Sequence, residues 1–129
     1  MNKLVMLVWI SIGGVFGTIL RFLLTMLLEQ NKVTHFPVGT FIINLSGCFI
    51  FGFISELSST TLIIRPELKL AITTGFAGAF TTFSTFMYEN YQLSKDAQFI
   101  MAIVYTAFSI IAGAAFLYLG IILARIVTK

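Results

Sequence analysis

The residues best equipped to do chemistry lie in one run, Gly75-Phe76-Ala77-Gly78-Ala79-Phe80-Thr81-Thr82-Phe83-Ser84-Thr85-Phe86. Six of the thirteen residues from Thr73 to Thr85 carry hydroxyls, and Gly75 and Gly78 interrupt the segment. Hydroxyls can rebond backbone groups that an interrupted helix frees, so the run invites a break at membrane depth, where protein or a cavity must cover it. A break has two chemical uses: freed carbonyls can bind a cation, and the positive end of a half-helix can face an anion. Phe83 and Phe86 are three apart and share a helical face, with Phe80 a further turn back. Such a stripe either packs a core or offers ring edges of partial positive charge to an anion without trapping it as a lysine would.

Other polar side chains fall inside apolar segments and need a reason to be there. Asn44 is four residues after Thr40, on the same helical face, with Gly47 continuing the stripe. An amide in hydrocarbon must find partners, so Asn44 is either glue between helices or a donor lining an ion path. Tyr105, Ser109 and Gly113 recur at four-residue intervals and form a second narrow stripe, which by itself is also explained by packing and bonds to backbone carbonyls. Arg21 lies eight residues before the polar end of its segment, either snorkelling to the interface or setting a positive potential at the mouth of an anion pathway. Gly13, Gly14 and Gly17 make a GxxxG face for close helix packing, one expected to need a second subunit to cover it. Glu56 and Glu89 read as solvated caps at helix ends.

The elements that must position these residues are membrane helices. The chain has 129 residues, 58% hydrophobic and 10% charged, with a mean hydropathy of +1.00, far more apolar than a soluble domain. Four apolar spans are legible, at about 4–28, 38–57, 70–88 and 97–126, each long enough for the ~20 residues that cross a bilayer, and no linker divides the chain into domains. The first run is about 25 residues long, beyond the 7–15 of a signal-peptide core, and is expected to stay in the membrane. The polar stretch 29–32 closes the first span, and 58–69 reads as an aqueous connection with 62–64 dipping toward the interface.

Composition also excludes functions. The net charge is +3, but the basic residues are scattered at the ends of spans, with no patch that would grip nucleic acid. Cys48 is the only cysteine; it leaves no intrachain disulfide and no Cys/His metal site, and reads as a small packed residue. His35 has no second histidine, and there is no GxSxG, HExxH or P-loop, so no enzyme is expected. With four spans the termini share one side with the second loop, which gives that side Lys3, Arg65, Lys69, Arg125 and Lys129 against Lys32 and Lys95, with Arg21 added if it snorkels that way. This leans only weakly toward cytoplasmic termini and is compatible with insertion in both orientations.

The ordered set Gly13-Gly14-Val15-Phe16-Gly17 with Arg21-Phe22, then Pro37-Val38-Gly39-Thr40 leading to Asn44 and Gly47, then Gly75-Phe76 and Thr81-Thr82-Phe83-Ser84-Thr85-Phe86 with Glu89, resembles the Fluc (CrcB) family of small bacterial fluoride channels. The resemblance covers all four spans, and the Thr-Thr-Phe-Ser-Thr-Phe motif is its most specific part. It implies an all-α integral membrane protein of the bacterial cell membrane: four transmembrane helices per subunit, the third broken at mid-membrane, in an antiparallel, dual-topology homodimer. It further implies passive fluoride export conferring fluoride resistance. Two pores are implied, and a central structural sodium ion at the dimer axis, held by backbone carbonyls that motif position assigns to Gly78 and Thr81. Phe83 and Phe86 match the family's pore phenylalanines, Asn44 its pore amide, Tyr105 and Ser109 its polar track, and Arg21 the basic residue near the pore mouth.

Two positions depart from the family pattern. Ala79 stands where a second glycine is usual, and Gly113 replaces a hydroxyl of the polar track, so that Thr82, Ser84 or Thr85 is expected to supply donors at that level. Replacing fluoride's tightly held water with Asn, Ser, Thr and Tyr donors and ring edges, while full charges stay near the vestibules, is the chemistry such a path requires. Two other readings fit the sequence less well. A small multidrug exporter needs a membrane-embedded carboxylate, and the first span has none from Leu4 to Leu28; a noncatalytic assembly subunit would leave the hydroxyl-rich third span without a purpose.

Overall fold

The structure, a computed structural model, describes residues 2–29, 36–61 and 64–129. It is helical along nearly all of that length, and four helices are long and apolar enough to cross a membrane. The protein is a multi-pass membrane protein. The first helix, α1, is Lys3–Glu29, and the second, α2, is Val38–Thr60, entered directly after Pro37. The third span, Pro66–Lys95, is composite: α3 (Pro66–Leu70), a π-helical segment (Ala71–Ala77), α4 (Gly78–Phe80) and α5 (Phe83–Lys95). The fourth, α6, is Phe99–Val127, reached through Ala97, whose φ of 58° turns the chain.

Three spans agree with the sequence reading to within a few residues at each end, and the third extends beyond 70–88 in both directions. Pro66 in its first turn loses no helical bond, and Glu67 there complements the helix dipole, so the helix starts before the apolar stretch does. At the other end the polar residues after Tyr88 continue as helix to Lys95, because Asn90 and Ser94 bond back to carbonyls one turn earlier instead of terminating it. Of the aqueous connection read over 58–69, residues 66–69 belong to α3 and 58–60 to α2, since Ser58, Ser59 and Thr60 likewise bond back into α2. The polar residues 30–32, His35 and the dip at Leu62 and Ile63 lie outside the described residues.

Two close pairings build the bundle. α6 lies along α2, and α1 lies along the π-helical segment and α4. Both depend on glycine where backbones approach. A Cβ on Gly52 would overlap the Leu117 carbonyl, and one on Gly120 the Phe49 carbonyl, so α2 and α6 meet without side chains between them. On the other seam Gly13 faces the Ala71 carbonyl, Gly17 the Phe76 carbonyl and Gly75 the Ile10 carbonyl, each with no room for a methyl. The Gly13/Gly17 face is therefore covered within one subunit by the third span. This corrects the expectation that a second subunit must cover it: without lipid-to-water hydrophobic gain, small residues pair whichever backbones come closest, and here that partner is intramolecular.

Gly13 and Gly14 are neighbours in sequence with opposite environments. Gly13→Ala drives its methyl into the Ala71 carbonyl, whereas the Cβ of Gly14→Ala would find its nearest atom, the Gly75 oxygen, at 3.9 Å. Gly13→Ala is expected to cost about 1–3 kcal/mol as an overpacked site, lowering the detergent thermal midpoint and folded yield. Gly14→Ala should leave both unchanged, and equal effects of the two would contradict the seam.

Candidate functional site

The third span stops being a helix at two residues. Thr81 (φ −75°, ψ 158°) and Thr82 (φ −145°, ψ 117°) are extended, between α4 and α5. The break comes after the glycines, not at them. Gly75 is consumed by packing on α1, and Gly78 still has helical dihedrals (φ −63°, ψ −35°). The two threonines supply what a break needs. Thr81 bonds back with both its N–H and its hydroxyl to the Ala77 carbonyl, closing α4. Thr82 caps α5, its hydroxyl accepting the Thr85 N–H at 3.3 Å and donating to the Thr85 hydroxyl at 3.0 Å.

Asn44 closes the gap from α2. Its Oδ1 accepts the Thr82 N–H at 2.8 Å, and its Nδ2 donates to the Thr82 carbonyl at 3.2 Å. One side-chain amide thus satisfies both backbone groups of the residue that has left the helix. The interhelical reading of Asn44 is realised in full, with one Nδ2 hydrogen left for another acceptor. Gly47, one turn along α2, provides the space: a Cβ there would overlap the Thr81 methyl.

These bonds redirect two donors. In an unbroken helix the Thr82 N–H would serve the Gly78 carbonyl and the Thr85 N–H the Thr81 carbonyl. Here the first goes to Asn44 and the second to the Thr82 hydroxyl. Gly78 and Thr81 also line a cavity of about 230 Å³ beside Gly47, Cys48 and Thr73.

Below the break, Phe86 is buried against Tyr105, ring centroids 5.0 Å apart, whereas Phe83 is 75% exposed although its ring lies 6.0 Å from that of Phe86. The two phenylalanines therefore share a face but not an environment. Ser84 is exposed beside Phe83, 3.5 Å from the Thr82 hydroxyl. Tyr105 is fully buried, and its hydroxyl donates to Glu89 Oε2 at 2.7 Å. Thr40 donates to the other oxygen of Glu89 at 2.6 Å. Ser109, one turn further along α6, has a buried hydroxyl with no protein partner, and so does the half-buried Arg21 at its Nε. Cys48 packs opposite Gly113, whose Cβ would lie 3.6 Å from its sulfur.

A family model described as "CrcB-like protein, Camphor Resistance (CrcB)" matches residues 8–121, most of the chain and all four helices. The chain belongs to the CrcB family. A protein of Prosthecochloris aestuarii named fluoride-specific ion channel FluC is 44% identical over 117 residues, 91% of each chain. Proteins of the same name from Chlorobaculum tepidum, 44% identical over 91% of this chain and 92% of its own, and Nitratidesulfovibrio vulgaris, 36% identical over 98% and 100%, are similar along their whole lengths. Membership in CrcB, a family of channels, makes the protein a non-enzymatic transporter and sets aside the exporter and assembly-subunit readings.

Within this CrcB chain the sequence reading misplaced one residue. Glu89 is not a solvated end cap: it lies in the body of α5, half-buried, bridging Thr40 on α2 and Tyr105 on α6. Glu56 does sit near the end of α2, paired with Arg125 at 2.7 Å. The signal for Glu89 was present in the spacing Thr82, Phe86, Glu89, Leu93, a single helical stripe whose Phe86 and Leu93 are buried. Asn90, next to it, accepts from Thr106 at 2.8 Å and donates to the Phe86 carbonyl at 2.9 Å, tying α5 to α6.

Because Thr40 and Tyr105 converge on the same Glu89 carboxylate, their removal should not be additive. Thr40→Val and Tyr105→Phe are each expected to lower the unfolding free energy, by about 1.5–3 kcal/mol for a bond to a charged group. The double variant should show a coupling of at least about 0.5 kcal/mol in a denaturation cycle. Strict additivity would mean that the carboxylate does not bridge the two hydroxyls.

Proposed function

We propose that this protein is a fluoride channel that lets the ion leave the cell passively and so confers fluoride resistance, acting as an antiparallel homodimer inserted in both orientations. What carries the reading is the placement of the Thr-Thr-Phe-Ser-Thr-Phe motif: it opens α5 inside the third span, so that the positive end of a helix, two phenylalanine rings and neutral hydroxyls converge at one level. A helix N-terminus attracts an anion through oriented N–H groups and dipole. Fluoride accepts strong hydrogen bonds, and a path of neutral donors replaces its hydration without holding it as a full charge would. The curated relatives carry the name fluoride-specific ion channel along more than nine-tenths of this chain.

The residues divide the work by environment. Ser84 and the ring edge of Phe83 are open to an ion arriving beside the break, and the remaining Nδ2 hydrogen of Asn44 is the donor nearest the Thr82 backbone. Thr82 spends its hydroxyl on capping and holds α5 in place, while the Thr85 hydroxyl accepts from Thr82 and keeps its own hydrogen to donate. Phe86, Tyr105 and Ser109 continue the track between α5 and α6, with the Ser109 hydroxyl unclaimed by protein. Arg21, with an unpartnered Nε, raises the potential near the mouth.

A central sodium ion fits the donors present. Hard monovalent cations take backbone carbonyls at unwound helix segments. The carbonyls of Gly78 and Thr81 have lost their helical donors, and both residues line the 230 Å³ cavity. Among the described residues no cluster of three His, Cys, Asp or Glu offers a competing side-chain site. Two subunits facing across this cavity would supply each carbonyl twice, and the ion would neutralise them and lock the breaks.

Fluoride efflux from liposomes, followed with a fluoride electrode, tests the function. The wild-type protein should empty fluoride-loaded vesicles far faster than protein-free controls, and equal rates would overturn the proposal. Phe83→Ile is the discriminating variant, because a 75% exposed ring contributes little to packing within the subunit. It should purify normally yet conduct orders of magnitude more slowly. Phe86→Ile should lose flux and some stability together, and Phe108→Ile, outside the motif, should conduct normally.

A further inference from the structure

A second concave surface lies away from the break, at the end of the bundle where α1 and α3 begin. It is a groove of about 480 Å³ lined by Val5, Trp9, Arg65, Glu67 and Leu68, within the ~300–1,000 Å³ of small-molecule sites. Val5 and Trp9 are four residues apart and so stack on one face of α1. Arg65 immediately precedes α3 in extended backbone, and Glu67 is in its first turn. The pair differs from Arg125 and Glu56, which neutralise each other at 2.7 Å. Among the described interactions neither Arg65 nor Glu67 engages a side-chain partner, although both face the same groove.

We propose that this groove binds the headgroup of a bilayer lipid that carries both a phosphate and a primary ammonium, a phosphatidylethanolamine. A lone cation would suit any phosphate, and a lone carboxylate any amine. One of each, side by side and not paired with each other, is complementary to a zwitterion. Arg65 takes the phosphate through its guanidinium fork, and Glu67 takes the ammonium. Trp9 belongs at headgroup level, where its ring is apolar and its indole N–H can donate. Val5 and Leu68 accept the first carbons of the acyl chain. The groove sits at helix starts, so it lies at the bilayer surface, where the effective dielectric is below that of water and such pairings strengthen.

The chemistry ranks lipids. Phosphatidylcholine offers Glu67 a charge with no N–H to donate, and phosphatidylglycerol offers a phosphate with no cation, which the Glu67 carboxylate repels. The test is native mass spectrometry of the full-length protein in detergent after equilibration with equal amounts of the three lipids, acyl chains matched. The wild type should retain phosphatidylethanolamine several-fold over the other two. Arg65→Gln should lose retention of all three, and Glu67→Lys should reverse the order toward phosphatidylglycerol. Glu67→Ala, which removes charge without adding any, should erase the preference and gives the same reading if the charge-reversed chain does not fold. Lys95→Gln, in the last turn of α5, should behave as wild type. Inorganic phosphate at millimolar concentration should not displace the lipid. Equal retention of the three lipids by the wild type, a preference that survives both Glu67 variants, or displacement by phosphate alone would overturn the proposal.

Discussion

In a hydrocarbon solvent each backbone N–H and C=O must be satisfied from within the protein, and the rest of this structure is arranged around the break where the third span fails to do so by itself. Thr82 leaves the third span in extended conformation, and the side chain of Asn44 accepts its diverted N–H while donating to its carbonyl. An unpaired amide or carbonyl at that depth would cost several kcal/mol, so the reciprocal pairing decides whether the break can exist. It also dictates the neighbours. α2 must pass close enough for the amide to reach, which Gly47 permits, and α2 in turn is held on α6 by glycine at Gly52 and Gly120.

Once the break is held, its consequences are chemical. Diverting the Thr82 and Thr85 N–H groups leaves the Gly78 and Thr81 carbonyls without their helical donors on one side of the interruption. The same diversion starts a new helix on the other side, with Phe83 and Ser84 at its positive end. One short run of sequence thus creates an electronegative surface and an electropositive one a few residues apart. A cation and an anion can be served by neighbouring segments with no charged side chain at either. The Glu89 carboxylate, engaged by Thr40 and Tyr105, fixes where α5 lies relative to α2 and α6, and with it the orientation of the Phe86 ring against Tyr105.

Much of this was legible in the sequence, for reasons that differ by residue. The four spans were readable because hydropathy reports directly on the solvent a segment occupies. The hydroxyl-rich run announced a break, but not its position. Glycine spacing pointed at Gly75 and Gly78, and nothing in a one-dimensional pattern distinguishes a glycine that loosens a helix from one that admits another backbone. Gly75 admits the backbone of α1, and Gly13 and Gly17 of α1 admit that of the third span in return. Glu89 was hidden by its surroundings: followed by Asn90, Gln92, Ser94 and Lys95, it looked like the polar end of a span, whereas the side chains beside it bond back and prolong the helix. The different exposures of Phe83 and Phe86 follow from what α6 happens to cover, which the spacing of the third span alone does not encode.

The central claim is that the Asn44–Thr82 pairing sustains the interruption on which conduction depends. Asn44→Leu, nearly isosteric, removes both bonds and leaves the Thr82 N–H free to return to the Gly78 carbonyl, healing the helix. Fluoride efflux from liposomes, normalised to folded protein, is the direct measurement. The account predicts a folded, helical protein whose efflux falls to the level of protein-free vesicles. Efflux equal to that of the wild type from a well-folded Asn44→Leu protein would contradict it.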